Sequence, residues 1–374
     1  MIKLLNAILL IGIFIWNPYP LQLLELKSYD YLIMSTEPVQ NENILLVELD
    51  EEIVEAYEGY PLPRDIYAQL INRTQGIPGI TVLMPDADIR GKEYDNTFAY
   101  AMSIKPTVLA QAASTQSDKI SLHVGTSQLG EDPLPWLYEY PGILRTKPIL
   151  QTTAKGLGLI TATPEIDGVT RRIPLVVNVQ SKLYPTFALE LLRLAIDQPS
   201  YQLKTTTEGI SWVRVPSYPL MNTDSNARIF LDWNTTFYKQ SAADYLKEPI
   251  AAPFVIFGVT AEGVVNPTPT PAGLIYPHEI QANILHNLIN GSAPSTPTWA
   301  KGAELFALVL SLLLVAVTVS SVYISAPVIF ILVGGLMFGA WYSFQSSYLF
   351  DVTGIILLSF LFWTIETFRN FITQ

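Results

Sequence analysis

From Leu305 to Phe350 the sequence contains no charged side chain. A helix crosses a bilayer core with about 20 apolar residues. This stretch and the apolar run after Asp351 therefore hold three spans, near 304–324, 326–344 and 349–366. The breaks between them read as turns. Ser325-Ala326-Pro327 is the first, with Pro327 in the opening turn of the next helix, where its missing N–H costs little. Gln345-Ser346-Ser347 is the second. The competing reading is a buried helical hairpin in a soluble domain, but such a domain rarely keeps so long a segment free of charge.

A second apolar run, Leu4 to Trp16, follows Lys3. It is short for a span and has the size of a signal-peptide core. No small-x-small cleavage site comes after it; Asn17-Pro18-Tyr19-Pro20 does instead. Residues 1–20 thus read as an uncleaved signal anchor with Trp16 and Tyr19 at the interface, a cleaved signal being the alternative. Lys3 precedes the first span and Arg369 follows the last. Four spans put both ends on one side, and the positive-inside rule makes that side cytoplasmic. The division expected is an anchor over 1–20, an extracytoplasmic domain over 21–300 and a membrane segment with a very short tail over 301–374. Residues 17–300 carry 26 of the 27 prolines and nearly all the charge, so a folded outer domain is expected there.

The chain has 22 basic and 33 acidic residues, a net charge of −11, and no cysteine. The acidic balance argues against nucleic acid, which needs a basic surface to neutralise phosphate. The lack of cysteine excludes disulfides, thiolate catalysis and Cys-based metal centres. There is no G-x-S-x-G elbow, Walker loop or H-E-x-x-H. An enzyme is not expected. His123, His278 and His286 do not share metal-ligand spacing and read as structural.

The outer segment alternates strand and helix patterns. Asn43 to Leu49 is an apolar, branched run closed by Asp50-Glu51-Glu52, the pattern of a buried strand. A helical pattern opens at Pro63-Arg64, a strand follows at Ile80–Met84, a helix at 95–103 and a strand at Thr107–Gln111. Ser114 to Pro148 reads as an irregular insertion. Gly156–Thr161 and Ile173–Val179 read as strands joined through the Asp167-Gly168 turn. Helices are expected over 185–196, 241–247 and 277–288, with strands at Arg228–Leu231 and Phe254–Phe257. The fold class that follows is α/β, a mostly parallel sheet flanked by helices, plus α-helical membrane spans.

Six of these segments carry a resemblance. ILLVELDEE (44–52) with PLPRDIYAQLI (61–71) is similar to a strand ending in an Asp-Glu pair followed by a Pro-x-Pro-Arg-x-x-Tyr-Ala helix start. GLGLITATPEIDGVTRRIPL (156–175), YPTFALELLRLA (184–195), ARIFLDWNTTF (227–237), FVIFGVTAEGVVNPTPTP (254–271) and YPHEIQANILHNLINGS (276–292) follow in the same order. Together they resemble the CHASE domain of the second type, the cyclase- and histidine-kinase-associated sensory extracellular domain of bacterial membrane receptors. Three spans after the domain also fit that family. Two positions depart from its pattern: Gln281 stands where the family's closing His is expected, and Asn266 is closest to its Asp. If those positions help hold a ligand or ion, this chain binds differently. Family members usually continue into a kinase, cyclase or phosphatase, whereas this chain ends at Gln374.

The acidic edge is the candidate site. In open parallel sheets ligands bind outside the carboxyl ends of the strands. Asp50 and Glu52 follow one strand, and Asp86 and Asp88 follow the next. If the strands are neighbours, four carboxylates converge, an oxygen-only set suited to a divalent cation or an amine. The alternative is that Asp50 and Asp86 cap turns or helix starts and pair with Arg64 or Arg90. Asp167 with Arg171 and Arg172 reads as structural pairing. Gly335 and Gly339 form G-x-x-x-G, a close-packing motif that serves within the chain or across a complex.

The expectation is thus a non-catalytic sensor-like protein of the cell inner membrane with a periplasmic domain, and no cofactor. Its domain binds a ligand or protein and acts through partner subunits. The alternative is a structural subunit of an envelope complex. The partners expected are membrane lipid, other membrane or envelope proteins and a second copy of the chain, with no nucleic acid.

Overall fold

The computed structural model describes residues 2–116, 125–144 and 146–373. The chain separates into two compact units: Glu37–Ala293, and Met1–Thr36 together with Pro294–Gln374.

The first unit is a mixed α/β domain. Its main sheet runs in the order Thr235–Ser241, Val39–Leu49, Phe254–Val259, Ile77–Ile80 and Val108–Ser114. The last of these pairs with Gly156–Leu159 along its first half and with Gly142–Leu144 along its second. All of these pairings are parallel except that with Gly142–Leu144. The smaller sheets are antiparallel or mixed. The domain as a whole is therefore mixed, and parallel pairing dominates only in the main sheet.

The central strands are buried on both faces, as a continuous apolar run demands. Ile44 to Val47 and Leu49 are at most 1% exposed. On one face Leu45, Val47, Leu49, Val255 and Phe257 join a core with Ile66, Tyr67, Leu70, Phe98 and Met102 of the helices Arg64–Arg73 and Lys92–Ile104. Each such side chain contributes about 1.5–3 kcal/mol on burial. The other face carries the helices Phe187–Ala195 and Pro277–Asn290. Glycines make that approach close. A Cβ at Gly158 would lie 2.4 Å from the Phe187 Cα, one at Gly79 would meet the Phe187 ring, and one at Gly258 would meet the His278 ring. A strand glycine commonly marks such an approach.

Several expected elements shift. The strand foreseen at Ile80–Met84 lies at Ile77–Ile80, and residues 81–85 leave the sheet. Gly156–Leu159 and the strands after Asp167-Gly168 do not form a hairpin. Gly156–Leu159 joins the main sheet, Arg172–Pro174 pairs with Arg228–Phe230, and Val176–Val179 pairs with Lys182–Pro185. The expected irregular insertion carries strands at Gly125–Gly130, Glu139–Tyr140 and Gly142–Leu144. Helix ends agree closely: Ser241 caps Ala242–Lys247, and Gly291 in the left-handed region ends Pro277–Asn290.

The second unit is helical. Ala300–Thr318, Val322–Phe344 and Thr353–Thr373 are each long and apolar enough to cross a membrane. The N-terminal segment is not one straight anchor. It is two helices, Ile2–Trp16 and Tyr19–Met34, bent by 66°, which count as a fourth span only when taken together. Val322–Phe344 starts earlier than expected, so Pro327 lies inside it rather than in its first turn. Its core is Leu10, Leu308, Leu312, Val315, Ile355, Leu358 and Phe362. Polar links add specificity. Ser311 and Ser359 hydroxyls meet at 2.6 Å. The buried Glu366 accepts from Asn6 at 2.8 Å and pairs with Arg369 at 2.6 Å, which brings the two ends of the chain to one end of the bundle.

Candidate functional site

The acidic edge is not assembled as its convergence required. Asp50 follows Val39–Leu49 and Asp86 follows Ile77–Ile80, but Phe254–Val259 lies between those strands. Asp50 caps the helix Glu51–Ala56, its carboxylate accepting from the Ile53 N–H at 3.3 Å. Glu52 and Asp86 are exposed. Asp88 is buried and accepts from the backbone N–H of Arg64 at 2.8 Å and of Arg90 at 2.9 Å. Its own N–H donates to Asp95 at 3.2 Å. Asp95 in turn stands 3.7 Å from the Arg64 guanidinium, both groups being buried. Arg64 also lies over the Tyr67 ring, and Arg90 reaches the Pro61 carbonyl at 3.0 Å. This network ties the 61–64 segment to the 88–95 loop and caps the start of Arg64–Arg73. Arg64 thus contacts Asp88 and Asp95, not Asp50 or Asp86. Among the described residues no three His, Asp or Glu side chains are grouped as metal ligands would be.

The other charged loop is also internally paired. Arg171 donates two 2.8 Å hydrogen bonds to Asp167, and Arg172 donates at 2.6 and 2.7 Å to Glu165. Arg228 reaches Asp224 at 2.7 Å. Bidentate contacts of this kind hold a loop and leave little charge free for a ligand.

Two of the three histidines fall within the described residues; His123 lies outside them. They differ sharply. His286 Nδ1 meets the Asn41 amide at 2.8 Å, so it has a partner. His278 is 1% exposed, and among the described residues neither of its ring nitrogens has a hydrogen-bond partner. Burial, and then the nearby Lys239 ammonium, push its pKa down to about 3, so the ring is neutral near pH 7. Lys239 itself pairs with Glu48 at 3.3 Å and Glu279 at 2.9 Å.

His278 lines a cavity of about 360 Å³. The other walls are Thr81–Leu83 beyond one parallel strand, Val259 at the end of the next with Val264 and Val265 of the loop after it, Ile160 beyond a third, and Pro277 beside the histidine. Tyr60 stands exposed at its edge. The cavity therefore occupies the place where ligands bind in α/β sheets, outside the carboxyl ends of parallel strands. The Thr81 hydroxyl is already spent on the Phe257 carbonyl at 2.9 Å. His278 is the buried side chain of the wall that makes no hydrogen bond among the described residues, and the volume falls within the range of small-molecule sites, about 300–1,000 Å³.

Residues 6–317 match the CHASE2 domain, a family of sensory extracellular domains. The chain belongs to the CHASE2 family. No curated protein and no solved structure matches it.

The CHASE2 match runs from the N-terminal helix through the α/β domain into Ala300–Thr318. Within it, the two departures from the expected family pattern acquire locations. Gln281 is buried and accepts from the Ala188 N–H at 3.1 Å and the Thr186 hydroxyl at 3.3 Å, so it caps the start of Phe187–Ala195. Asn266 is exposed. Gly335 and Gly339 lie exposed on Val322–Phe344, with nothing within 4 Å of where a Cβ would stand. Sequence reasoning missed Asp95 and the open nitrogens of His278. Spacing gave no signal for either, because both depend on which loops meet across the sheet edge.

Proposed function

We propose that this CHASE2 protein is a multi-pass sensor of the bacterial inner membrane. Its α/β domain faces the periplasm, binds a ligand or protein partner, and acts through partner subunits without catalysing a reaction itself. The observation that carries the reading is the family match, which runs without interruption from the N-terminal helix through the α/β domain into the first of the three apolar helices. The cavity beside His278 supports ligand binding by the domain. The lack of charge over 305–350 supports residence in a membrane.

An exposed helix surface favours the second reading, a structural subunit of an envelope complex. Val322–Phe344 is the least buried of the three apolar helices, and Gly335 and Gly339 lie on its exposed part. Small residues of this spacing let a second helix approach closely.

Mild extraction of the full chain from its own membrane, followed by mass determination of the intact complex, tests the proposal. A fixed stoichiometry with a signalling subunit is expected. A fixed set of envelope proteins without any signalling member would replace the sensor with the assembly reading. A lone monomer would contradict action through partners.

A further inference from the structure

We propose that the cavity beside His278 is a binding site for a small, uncharged, largely apolar molecule that carries a hydroxyl or amide group, with the imidazole as its hydrogen-bonding anchor. The inference rests on the reading of the domain as a ligand-binding module and adds the ligand class.

The first ground is the anchor. A buried polar group without a hydrogen bond costs about 1–3 kcal/mol, and native structures satisfy nearly all such groups. His278 leaves both ring nitrogens without a protein partner among the described residues. The ring is also fixed in place. It packs over Gly258, where a Cβ would come within 2.2 Å of the ring carbon, and it stands 6.2 Å from the Tyr276 ring. A neutral imidazole offers one N–H donor and one acceptor. Nδ1 packs against Gly258, so Nε2 is the nitrogen that a ligand hydroxyl or amide would meet, as donor or acceptor according to the tautomer.

The remaining walls set the rest of the ligand. Val82, Leu83, Ile160, Val259, Val264 and Val265 line the cavity, and no charged side chain does. Placing an ion among these walls would cost several kcal/mol of desolvation without a countercharge. The charged groups nearest His278 offer none, because Lys239 is held between Glu48 and Glu279. An uncharged ligand with an apolar body fits the walls, and one polar group fits the anchor. Buried water is the competing occupant of an open histidine, since ordered waters often satisfy such groups.

The test uses the full-length protein in lipid nanodiscs and reads its thermal unfolding midpoint against added probe. Cyclohexanol is the ligand-class probe, methylcyclohexane its match without the hydroxyl, and cyclohexanecarboxylate the anionic control. Wild type is compared with His278→Phe, which keeps a planar ring and removes both nitrogens, and with Val264→Phe, which fills the cavity from its loop wall. Both variants share the lipid, so uptake into the bilayer cancels in the comparison. The expected result is a saturable rise of the wild-type midpoint with cyclohexanol. His278→Phe should need at least tenfold more cyclohexanol for the same shift, and Val264→Phe should not respond. Methylcyclohexane should not separate wild type from His278→Phe. Equal cyclohexanol responses in all three proteins would overturn the proposal and leave water as the partner of His278. A larger response to cyclohexanecarboxylate would overturn the uncharged class. Neither failure touches the partner-subunit reading, because intact-complex mass measures that independently.

Discussion

Two places at the carboxyl edge of one sheet make opposite use of polar chemistry. The Asp88 cluster is rich in charge, and its buried groups answer one another. Asp88 accepts from two backbone N–H groups, and Asp95 accepts from the Asp88 N–H and forms a 3.7 Å ion pair with Arg64, although the Arg64 Nε and one Asp95 oxygen make no hydrogen bond among the described residues. The cavity beside His278 is poor in charge, and the buried imidazole in its wall has no hydrogen-bond partner and no ion-pair partner among the described residues. From sequence alone the charged cluster attracts attention and the histidine does not. The contrast teaches that charge density alone does not mark a site, because charges that face countercharges are already answered. Carboxylates that answer each other through loops are structure, whereas a buried group that answers nothing in its own domain is a candidate for recognition.

The comparison breaks first at its charged end. Asp95→Ala removes the acidic partner of a buried Arg64 and should destabilise the full-length protein by about 3–5 kcal/mol in denaturant unfolding. A loss below about 1 kcal/mol would mean that the network is solvated and its carboxylates free for a ligand. At the histidine, the unfolded chain takes up a proton below pH 6.5, while the folded His278 does so only near pH 3. Stability should therefore be intact above pH 6.5 and fall as pH drops toward 3, at up to about 1.4 kcal/mol per pH unit. His286 adds to the fall in the same direction, because burial lowers its pKa too. His278→Phe should flatten the profile between pH 6 and 4, and an unchanged slope would show the ring to be hydrated. Gly258→Ala presses a methyl into the His278 ring and should cost about 1–3 kcal/mol. Asp50→Ala removes a helix cap and should cost about 0.5–2 kcal/mol. Glu52→Ala and Asp86→Ala, at exposed positions, should stay within about 0.5 kcal/mol. A larger effect at either would reopen the acidic edge.

What could be read in the sequence follows from how local each signal is. The apolar run through Ile44–Leu49 announces a strand buried on both faces, and that strand is central. The uncharged stretch announces three apolar helices, and all three are present. Six ordered motifs announce the family. Strand order is not local. Phe254–Val259 enters between two strands far from it in the chain, so the two carboxylate pairs are set apart by a segment that neither pattern mentions. The Val176–Pro185 hairpin was equally hidden, since its turn places Gln180 and Ser181 at positive φ without a glycine or asparagine to mark it. His278 and Gln281 lie within one helical turn of each other. Sequence comparison draws the eye to Gln281, but its amide is spent on a helix start while the imidazole stays open.

The most direct measurement is the ring-nitrogen NMR spectrum of the full-length protein labelled with ¹⁵N-histidine in nanodiscs. Only three histidines contribute, and His278→Phe assigns the one that matters. A neutral His278 at pH 7 whose nitrogen shifts move saturably with cyclohexanol, while those of His286 do not, is the predicted result. A His278 spectrum unchanged by cyclohexanol, or one already that of a protonated ring at pH 7, would contradict the assignment of this cavity as the binding site.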